Sequence, residues 1–542
     1  MKPEKLPVVA AVSALFIGLS FGVVATWSST LAPALQDMRE FSSHAALQVF
    51  FSPTHPATLT AERVNHSQEC FLNSADRPLV GWSDVRAQLG MPVRLAGYGI
   101  WPFWEAPFSG PSTGKGAADQ VDGDLLVLRA GASVWVLVTL DTLGVPSLLA
   151  ARLRTGLVSD VQAALKASTP FGNSTAECVM VSIVASHSHS SPDLTGIWGG
   201  SADSWSSARN QDNARAYIYE PLLASLREAV GRSIAKLLPA RITVDHGFYA
   251  TAATAATAAA TSPTGANKGD MPQSLSSGAN LTRIWIERDS HGTNLDAGAA
   301  PAQKKAVVWI WNGHPATDPR SNQPGKQSGE HSGQSEFGDF PAEVRQALGA
   351  DLHSFFLPGV IAGDYPIERS GWRNELIGHV SQPPKQRPGS FSIRLLERDY
   401  CLESENRLRP PLERWSRFGG GDGLAECTEA GPNSGKSSFM ARFQSVRIQV
   451  GEKHELEPLE IAFLPFETFA DVESQARHAT DHDLRVVSLA NGFNGHGLAK
   501  KQFDSLLSGA QESNRAKPYH LFLAIRTNIE DVTNIFLGEN QR

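Results

Sequence analysis

The stretch that most constrains the fold spans residues 181–200 and reads VSIVASHSHSSPDLTGIWGG. It starts as a largely apolar, β-branched run, which is typical of a buried strand, and it leads into His187 and His189. Side chains alternate between faces on an extended chain, so the two histidines should point the same way, roughly 6–7 Å apart. Two imidazoles there can share a metal ion, or they can be polar residues where a strand meets solvent. This stretch alone leaves both interpretations open.

The same arrangement recurs along the chain. Apolar runs predict strands at residues 125–129, 134–140, 178–185, 306–311, 355–361, 461–465 and 484–489. Helical spacing predicts helices at residues 145–165, 217–238 and 340–348. This alternation predicts an α/β fold, with one large catalytic domain of mixed β-sheets flanked by helices.

Residue types that bind metals lie at or just past the ends of these predicted strands. They are Asp141, His187, His189, His314, Asp364, Glu467 and His496. Ligands of open α/β sheets bind outside the carboxyl ends of the strands. The recurrence therefore favours a common metal site over scattered polar residues.

The N-terminus carries a targeting segment. Lys2 and Lys5 precede an uncharged run over residues 6–27, which is about long enough to cross a bilayer. Positive charge before the run places the rest of the chain on the extracytoplasmic side. The segment is either an uncleaved signal anchor or a signal peptide cleaved near the Ala-Pro-Ala sequence at residues 32–34. The predicted organisation is a signal anchor or signal peptide over 1–34, a tether over 35–87 and a catalytic domain over 88–542.

Charge and cysteine content exclude several classes of protein. A formal net charge of −7 over 542 residues gives no basic surface for nucleic acid, and no obligate protein partner is evident. The four cysteines are too few and too scattered for a disulfide scaffold or a zinc finger. Cys401 and Cys427 flank a Gly-rich loop and can be bridged, whereas Cys178, at the start of the strand before His187, is expected to be simply buried.

Five features resemble, in order, motifs of the neutral, non-lysosomal ceramidase family. They are GYG at 97–99 with LD at 140–141, SHSHSSP at 186–192, WNGHPAT at 311–317, FGDFPA at 337–342 and LPFE at 464–467. The resemblance covers the chain from about residue 88 onward. It implies one zinc ion per chain, held by His187, His314 and Glu467, which match the family's ligands. Two histidines, one carboxylate and an open position also suit a hydrolytic zinc site.

The chain departs from the family at two positions. His496 stands where the family has a Tyr ligand, and it is either a fourth zinc ligand or a solvent-facing histidine on a Gly-rich loop. The segment GDYPI at 363–367 lacks a Ser that the family has. Asp364 remains there, either as a general base that orients water or as a residue that caps a turn. By resemblance, His189 would donate a hydrogen bond to the substrate oxyanion.

The resemblance implies an extracytoplasmic zinc amidohydrolase that cleaves an N-acyl lipid such as ceramide and contacts the membrane through its N-terminal segment. The missing Ser and the Tyr-to-His change motivate a second hypothesis. In it, the chain is a catalytically impaired relative that binds a lipid or a glycan without turning it over.

Overall fold

The structure is a computed structural model, and it describes seventeen parts of the chain. They are residues 67–74, 77–94, 117–168, 176–189, 191–194, 215–249, 279–289, 304–315, 339–349, 351–362, 372–384, 391–404, 437–450, 458–478, 480, 483–501 and 526–540. The N-terminal segment 1–66 and Asp364 lie outside these ranges. Within them, no helix is both long enough and apolar enough to span a membrane.

The described parts contain sixteen strands and six α-helices. In chain order the strands are β1 (Ser67–Ser74), β2 (Leu79–Arg94), β3 (Ala117–Ala130), β4 (Ser133–Leu140), β5 (Cys178–Ala185), β6 (Leu238–Tyr249), β7 (Ala279–Arg288), β8 (Lys305–Trp311), β9 (Leu352–Pro358), β10 (Phe391–Ser404), β11 (Ser437–Val450), β12 (Leu459–Phe463), β13 (Glu467–Thr468), β14 (Asp483–Val487), β15 (His496–Leu498) and β16 (Arg526–Asn528). The helices are α1 (Ser147–Ala167), α2 (Glu220–Ala235), α3 (Asp339–Leu348), α4 (Trp372–Ser381), α5 (Ala470–His478) and α6 (Glu530–Asn540).

The strands form three sheets. The largest has eight strands in the order β5-β4-β3-β2-β6-β7-β8-β9, and it is mostly antiparallel, with parallel pairs β4–β5 and β8–β9. The second has five strands in the order β1-β10-β11-β12-β14, of which only β12 and β14 are parallel. The third is a small parallel sheet in the order β13-β15-β16. The mixed sheets flanked by helices confirm the predicted fold class.

Four layers follow from the apolar clusters. Apolar side chains of β2–β9 pack against those of β10–β12 and fill the space between the two large sheets. Helices α1 and α2 cover the outer face of strands β2–β5, and α3 and α4 cover β7–β9. Helices α5 and α6 cover the outer face of the five-stranded sheet. Strand β4 is therefore buried on both faces, which explains why its sequence, SVWVLVTL, is almost continuously apolar.

Strand β5 is an edge strand, and its free edge is closed by other parts of the chain. The carbonyl of Val181 accepts hydrogen bonds from Arg154 Nε at 2.8 Å and from Gln444 Nε2 at 3.0 Å. The amide of Ile183 donates to Asn491 Oδ1 at 3.1 Å, and the amide of Asn491 donates back to the carbonyl of Ile183 at 2.7 Å. These contacts satisfy backbone groups that an open edge would leave exposed.

A buried ion pair joins α1 to the five-stranded sheet. Arg154 reaches past the edge of β5 to Glu397 of β10, with Nη2 to Oε2 at 2.5 Å. Arg442 of β11 contacts the other oxygen of Glu397 at 2.6 Å. Burial by itself would raise the pKa of Glu397, but the charges of Arg154 and Arg442 outweigh it and hold that pKa below its usual value. The carboxylate therefore stays ionised between the layers.

Folded structure begins earlier than the sequence analysis places it. Strands β1 and β2 start at Ser67 and Leu79, inside the stretch predicted as a tether, and residue 88 falls within β2. Exposed residues such as Asp84 and Arg86 alternate with buried ones along β2, which is the pattern of a strand with one buried face.

The expectation that Cys178 is simply buried is wrong. Cys178 forms a disulfide with Cys70, and their Cα atoms lie 5.9 Å apart. The bond joins β1, an edge of the five-stranded sheet, to β5, an edge of the eight-stranded sheet. A sequence separation of 108 residues leaves no local spacing from which the pair can be predicted. The proposed Cys401–Cys427 bridge stays untested, because Cys427 lies outside the described residues.

Loss of this disulfide should destabilise the fold. We expect Cys70→Ala/Cys178→Ala to lower the free energy of unfolding by about 4–5 kcal/mol, because the bond closes a loop of about 100 residues in the unfolded chain. Urea unfolding under oxidising conditions measures this. An unfolding free energy equal to that of the wild-type chain would contradict the role given to the bond.

Candidate metal centre

Three buried histidines from two different strands meet at one point. His187 and His189 follow β5, and His314 follows β8. One ring nitrogen from each histidine can be chosen so that all three nitrogens lie within 4.8 Å of one another. The ring centroids are 4.7–4.8 Å apart in all three pairs. The structure therefore brings together two separate strand-end segments that the sequence analysis assigned to one site.

His187 has an unusual backbone conformation. Its φ is 61°, in the left-handed region that non-glycine residues seldom adopt. The sequence predicted an extended chain here, with the two histidines roughly 6–7 Å apart. The left-handed residue interrupts that extended chain, and the Nε2 atoms of the two rings converge to 3.3 Å. Such backbone strain is typical of functional sites, where surrounding contacts hold a conformation that the residue alone would avoid.

A backbone carbonyl fixes the orientation of the His187 ring. Nδ1 of His187 lies 3.0 Å from the carbonyl oxygen of Leu143, which can only accept, so Nδ1 carries the proton. In the neutral ring Nε2 then has a free lone pair directed at the other histidines. Histidines that bind metals use this arrangement, in which one nitrogen donates to a carbonyl and the other binds the ion.

Glu467 and His496 extend the cluster from the small parallel sheet. They are direct partners in the register of β13 and β15, so their side chains lie side by side. Oε2 of Glu467 lies 3.2 Å from Nε2 of His496 and 3.6 Å from Nε2 of His187. Glu467 is 8% exposed, and its amide donates to the carbonyl of Gly495 at 2.8 Å. One carboxylate thus links the two groups of histidines.

The histidines keep this carboxylate charged. Burial by itself would raise the pKa of Glu467, but His496, His187 and His314 outweigh it and hold that pKa below its usual value. An ionised carboxylate is the form that binds a metal ion.

The donor set fits a zinc ion. Zinc binds imidazole nitrogen and carboxylate oxygen at about 2.0–2.2 Å with tetrahedral geometry, which places neighbouring ligand atoms roughly 3.3 Å apart. In three neighbouring pairs, His187 with His189, His187 with Glu467 and Glu467 with His496, the ring nitrogens and the carboxylate oxygen lie 3.2–3.6 Å apart. His187, His314 and Glu467 are buried, whereas His496 is partly exposed.

Two further strand-end acids of the sequence analysis are Asp141 and Asp364, and of these only Asp141 is described by the structure. Asp141, which follows β4, instead forms a two-point ion pair with Arg345 of α3, at 2.8 and 3.2 Å. Burial raises the pKa of Asp141, although Arg345 opposes the shift. The strand-end pattern identified the right edge of the sheet but could not tell an ion-pair partner from a ligand.

The sequence analysis missed a second group of ligand-type residues. Asp84, Asp124 and His353 offer side-chain atoms within 4.8 Å of one another. Arg345 Nε lies 3.1 Å from Asp124 Oδ2, and His353 Nε2 lies 3.0 Å from Asp124 Oδ1. The fixed cation of Arg345 already neutralises part of the acidic charge, so we interpret this group as an ion-paired cluster. These three residues lie on three different strands, and no sequence pattern indicates that they come together.

No protein-family model matches the chain. No curated protein matches it either. Among solved structures, a ceramidase complexed with C2 has a TM-score of 0.46 at 11% identity, over 86% of this chain and 76% of that one. The neutral ceramidase from Pseudomonas aeruginosa has a TM-score of 0.45 at 12% identity, over 86% and 75%. These values assign neither a family nor an activity to this chain.

The cluster predicts a specific pattern of metal affinity. We expect the purified chain to bind one equivalent of Zn²⁺, and Glu467→Gln, which keeps the size of the side chain but removes its charge, to weaken binding by more than about 100-fold, since losing even a ligand's supporting partner costs 10–100-fold. Competition titration with a chelating dye measures the affinity.

His353→Gln is the matched control, because it removes a buried histidine of the ion-paired cluster and should leave zinc affinity unchanged. Equal affinities of the wild-type chain and Glu467→Gln would show that the cluster is not the zinc site.

Proposed function

We propose that this chain is a zinc-dependent hydrolase that cleaves the amide bond of an N-acyl lipid of the ceramide type. The observation that carries the proposal is the convergence of buried histidines on one ionised carboxylate. His187 and His314 would supply imidazole nitrogens, Glu467 the anionic oxygen and His496 a fourth ligand, so a bound water would be the fifth neighbour of the ion. A zinc ion held there would act as a Lewis acid and lower the pKa of a bound water to about 7.

His189 is the residue proposed to handle charge on the substrate. It is buried, its ring lies edge-on to those of His187 and His314, and its Nε2 is 3.3 Å from that of His187. A donor held beside the ligands can form a hydrogen bond to the oxygen that becomes negative when an amide carbonyl is attacked. Because the position is already fixed, little reorganisation is needed during the reaction.

Hydrogen bonds to neighbouring segments hold the turn that carries His314. Asn312 accepts a hydrogen bond from the amide of Val360 at 3.3 Å and donates to Glu473 at 3.4 Å. The amide of Gly359 donates to the carbonyl of Trp311 at 2.8 Å. These contacts tie the segment after β8 to the segment after β9. They fix the direction from which His314 enters the site, as supporting residues do for metal ligands.

The substrate class is supported by the five sequence features that resemble neutral ceramidases. The uncharged run over residues 6–27 supports an extracytoplasmic location with membrane contact through the N-terminus. The substrate class and the location thus both rest on sequence features. Asp364 as general base likewise stays a prediction.

One observation favours a second candidate function. His496 adds a fourth imidazole to the cluster, and His189 lies as near to His187 as a ligand would. If all five donors bind one ion, no position is left for water, and a closed site is structural rather than catalytic. The chain would then bind a lipid or glycan without hydrolysing it.

Hydrolysis by the zinc-loaded full chain tests the proposal. We expect release of fatty acid from an N-acyl sphingosine. His189→Ala should lower kcat by about 10²–10³-fold, the usual cost of losing an oxyanion donor, while the chain still binds zinc. His353→Gln should leave kcat unchanged.

A zinc-loaded chain that hydrolyses neither N-acyl nor O-acyl lipids would contradict the hydrolase proposal and favour the binding protein. A His189→Ala chain that loses zinc would show instead that His189 is a ligand.

A further inference from the structure

The segments that carry or lead into three of the five clustered residues meet at the edge of β5. One follows β5 and carries His187 and His189. The other, residues 488–495, follows β14 and leads into His496, with the carbonyl of Gly495 accepting the amide of Glu467 at 2.8 Å. The two segments belong to different large sheets. Whatever fixes one sheet edge against the other therefore also fixes the ligands against one another.

A single buried amide connects both segments. Gln444 of β11 is fully buried, and its Oε1 accepts hydrogen bonds from Ser182 Oγ at 2.7 Å and from Asn491 Nδ2 at 2.8 Å. Its Nε2 donates to the carbonyl of Val181 at 3.0 Å and to Glu397 Oε2 at 2.5 Å. A glutamine amide has two acceptor sites and two donor hydrogens, so all four are used.

The direction of every hydrogen bond to Oε1 is fixed. Trp135 Nε1 can only donate, and it donates to Ser182 Oγ at 3.0 Å, so the Ser182 hydroxyl hydrogen points to Gln444. Asn491 Oδ1 already accepts the amide of Ile183 at 3.1 Å, which leaves Nδ2 facing Gln444. No rotated amide or alternative hydroxyl orientation satisfies the same partners. The network therefore has one arrangement.

Asn491 is itself held in an uncommon conformation. Its φ is 59°, in the left-handed region, where asparagine is tolerated better than most residues. Its amide donates to the carbonyl of Ile183 at 2.7 Å, and the amide of Ala185 donates to the carbonyl of Leu489 at 3.2 Å. The hydrogen bond that Asn491 donates to Gln444 thus acts on the residue at which the second segment turns along β5.

We propose that Gln444 is a positioning residue for the metal centre, one that sets the segment bearing His187 against the segment leading to His496. This rests on the proposed metal-binding function. Gln444 does not touch the proposed ligands and acts through Val181, Ser182 and Asn491. Without the amide of Gln444, the buried hydroxyl of Ser182 and the buried side-chain amide of Asn491 lose a hydrogen-bond partner. They can replace that hydrogen bond only by moving or by admitting water. Ligand distances that must hold to about 0.2 Å respond to such a movement.

The test compares Gln444→Met with Ser83→Ala in the full chain. Methionine keeps the length of the side chain but has no amide. Ser83→Ala also removes buried hydrogen bonds, to the carbonyl of Ala229 and to Ser233 Oγ, both at 2.8 Å, but between β2 and α2. Ser182→Ala removes one of the two hydrogen bonds between Gln444 and β5 and serves if Gln444→Met does not fold. Measured for each are the Kd for Zn²⁺, the visible spectrum with Co²⁺ bound, and the Tm.

We expect both Gln444→Met and Ser83→Ala to lower the Tm. Only Gln444→Met should raise the Kd for Zn²⁺, by about 10-fold or more, and shift the Co²⁺ spectrum. Ser182→Ala should change the Kd for Zn²⁺ and the Co²⁺ spectrum in the same direction as Gln444→Met, but by less. If Gln444→Met, or Ser182→Ala in its place, matches Ser83→Ala in Kd and spectrum, Gln444 is only a stabilising residue and the inference is overturned. A wild-type chain that binds no zinc overturns the proposed function instead.

Discussion

The hydrogen bonds along the free edge of β5 are the contacts on which the rest of the site depends. An edge strand normally leaves alternate amides and carbonyls open, but here Ile183 and Ala185 are bonded to Asn491 and Leu489. Those bonds join the eight-stranded sheet to the loop that leaves the five-stranded sheet. Beside this junction, Nε2 of His187 lies 3.6 Å from the carboxylate of Glu467. The disulfide between Cys70 and Cys178 fastens the same strand at its other end.

Polar groups in the space between the sheets give the junction its register. Apolar packing alone tolerates small sliding of one sheet on the other, because contacts among aliphatic side chains have little directionality. The ion pair of Arg154 with Glu397 and the amide of Gln444 require particular partners at particular distances. Buried charges and amides add less to stability than their number suggests, since their desolvation offsets much of the gain. In this fold we assign the ion pair and the amide the role of aligning the two sheets in one register. A metal centre needs that alignment more than it needs added stability.

Local sequence patterns predicted the elements well and their assembly less well. The apolar run at 178–185 corresponds to β5 at both ends, and strand-end histidines and the glutamate of LPFE do lie together. The left-handed backbone of His187 was not predictable, because it depends on Leu143 and on contacts from other strands. Pairing of Asp141 with Arg345 was likewise hidden by a separation of about two hundred residues. Hydrophobic periodicity indicates which face of a segment is buried. The side chains that a residue contacts there are decided by the tertiary fold.

X-ray absorption at the zinc K-edge of the purified full chain tests the central claim most directly. We expect one zinc with four to five nitrogen and oxygen neighbours at about 2.0–2.2 Å and the outer-shell scattering of two or more imidazole rings. Glu467→Gln should lose this signal. A wild-type spectrum with sulfur at about 2.3 Å, or without imidazole scattering, would contradict the assignment of the metal centre to the cluster of His187, His314, Glu467 and His496.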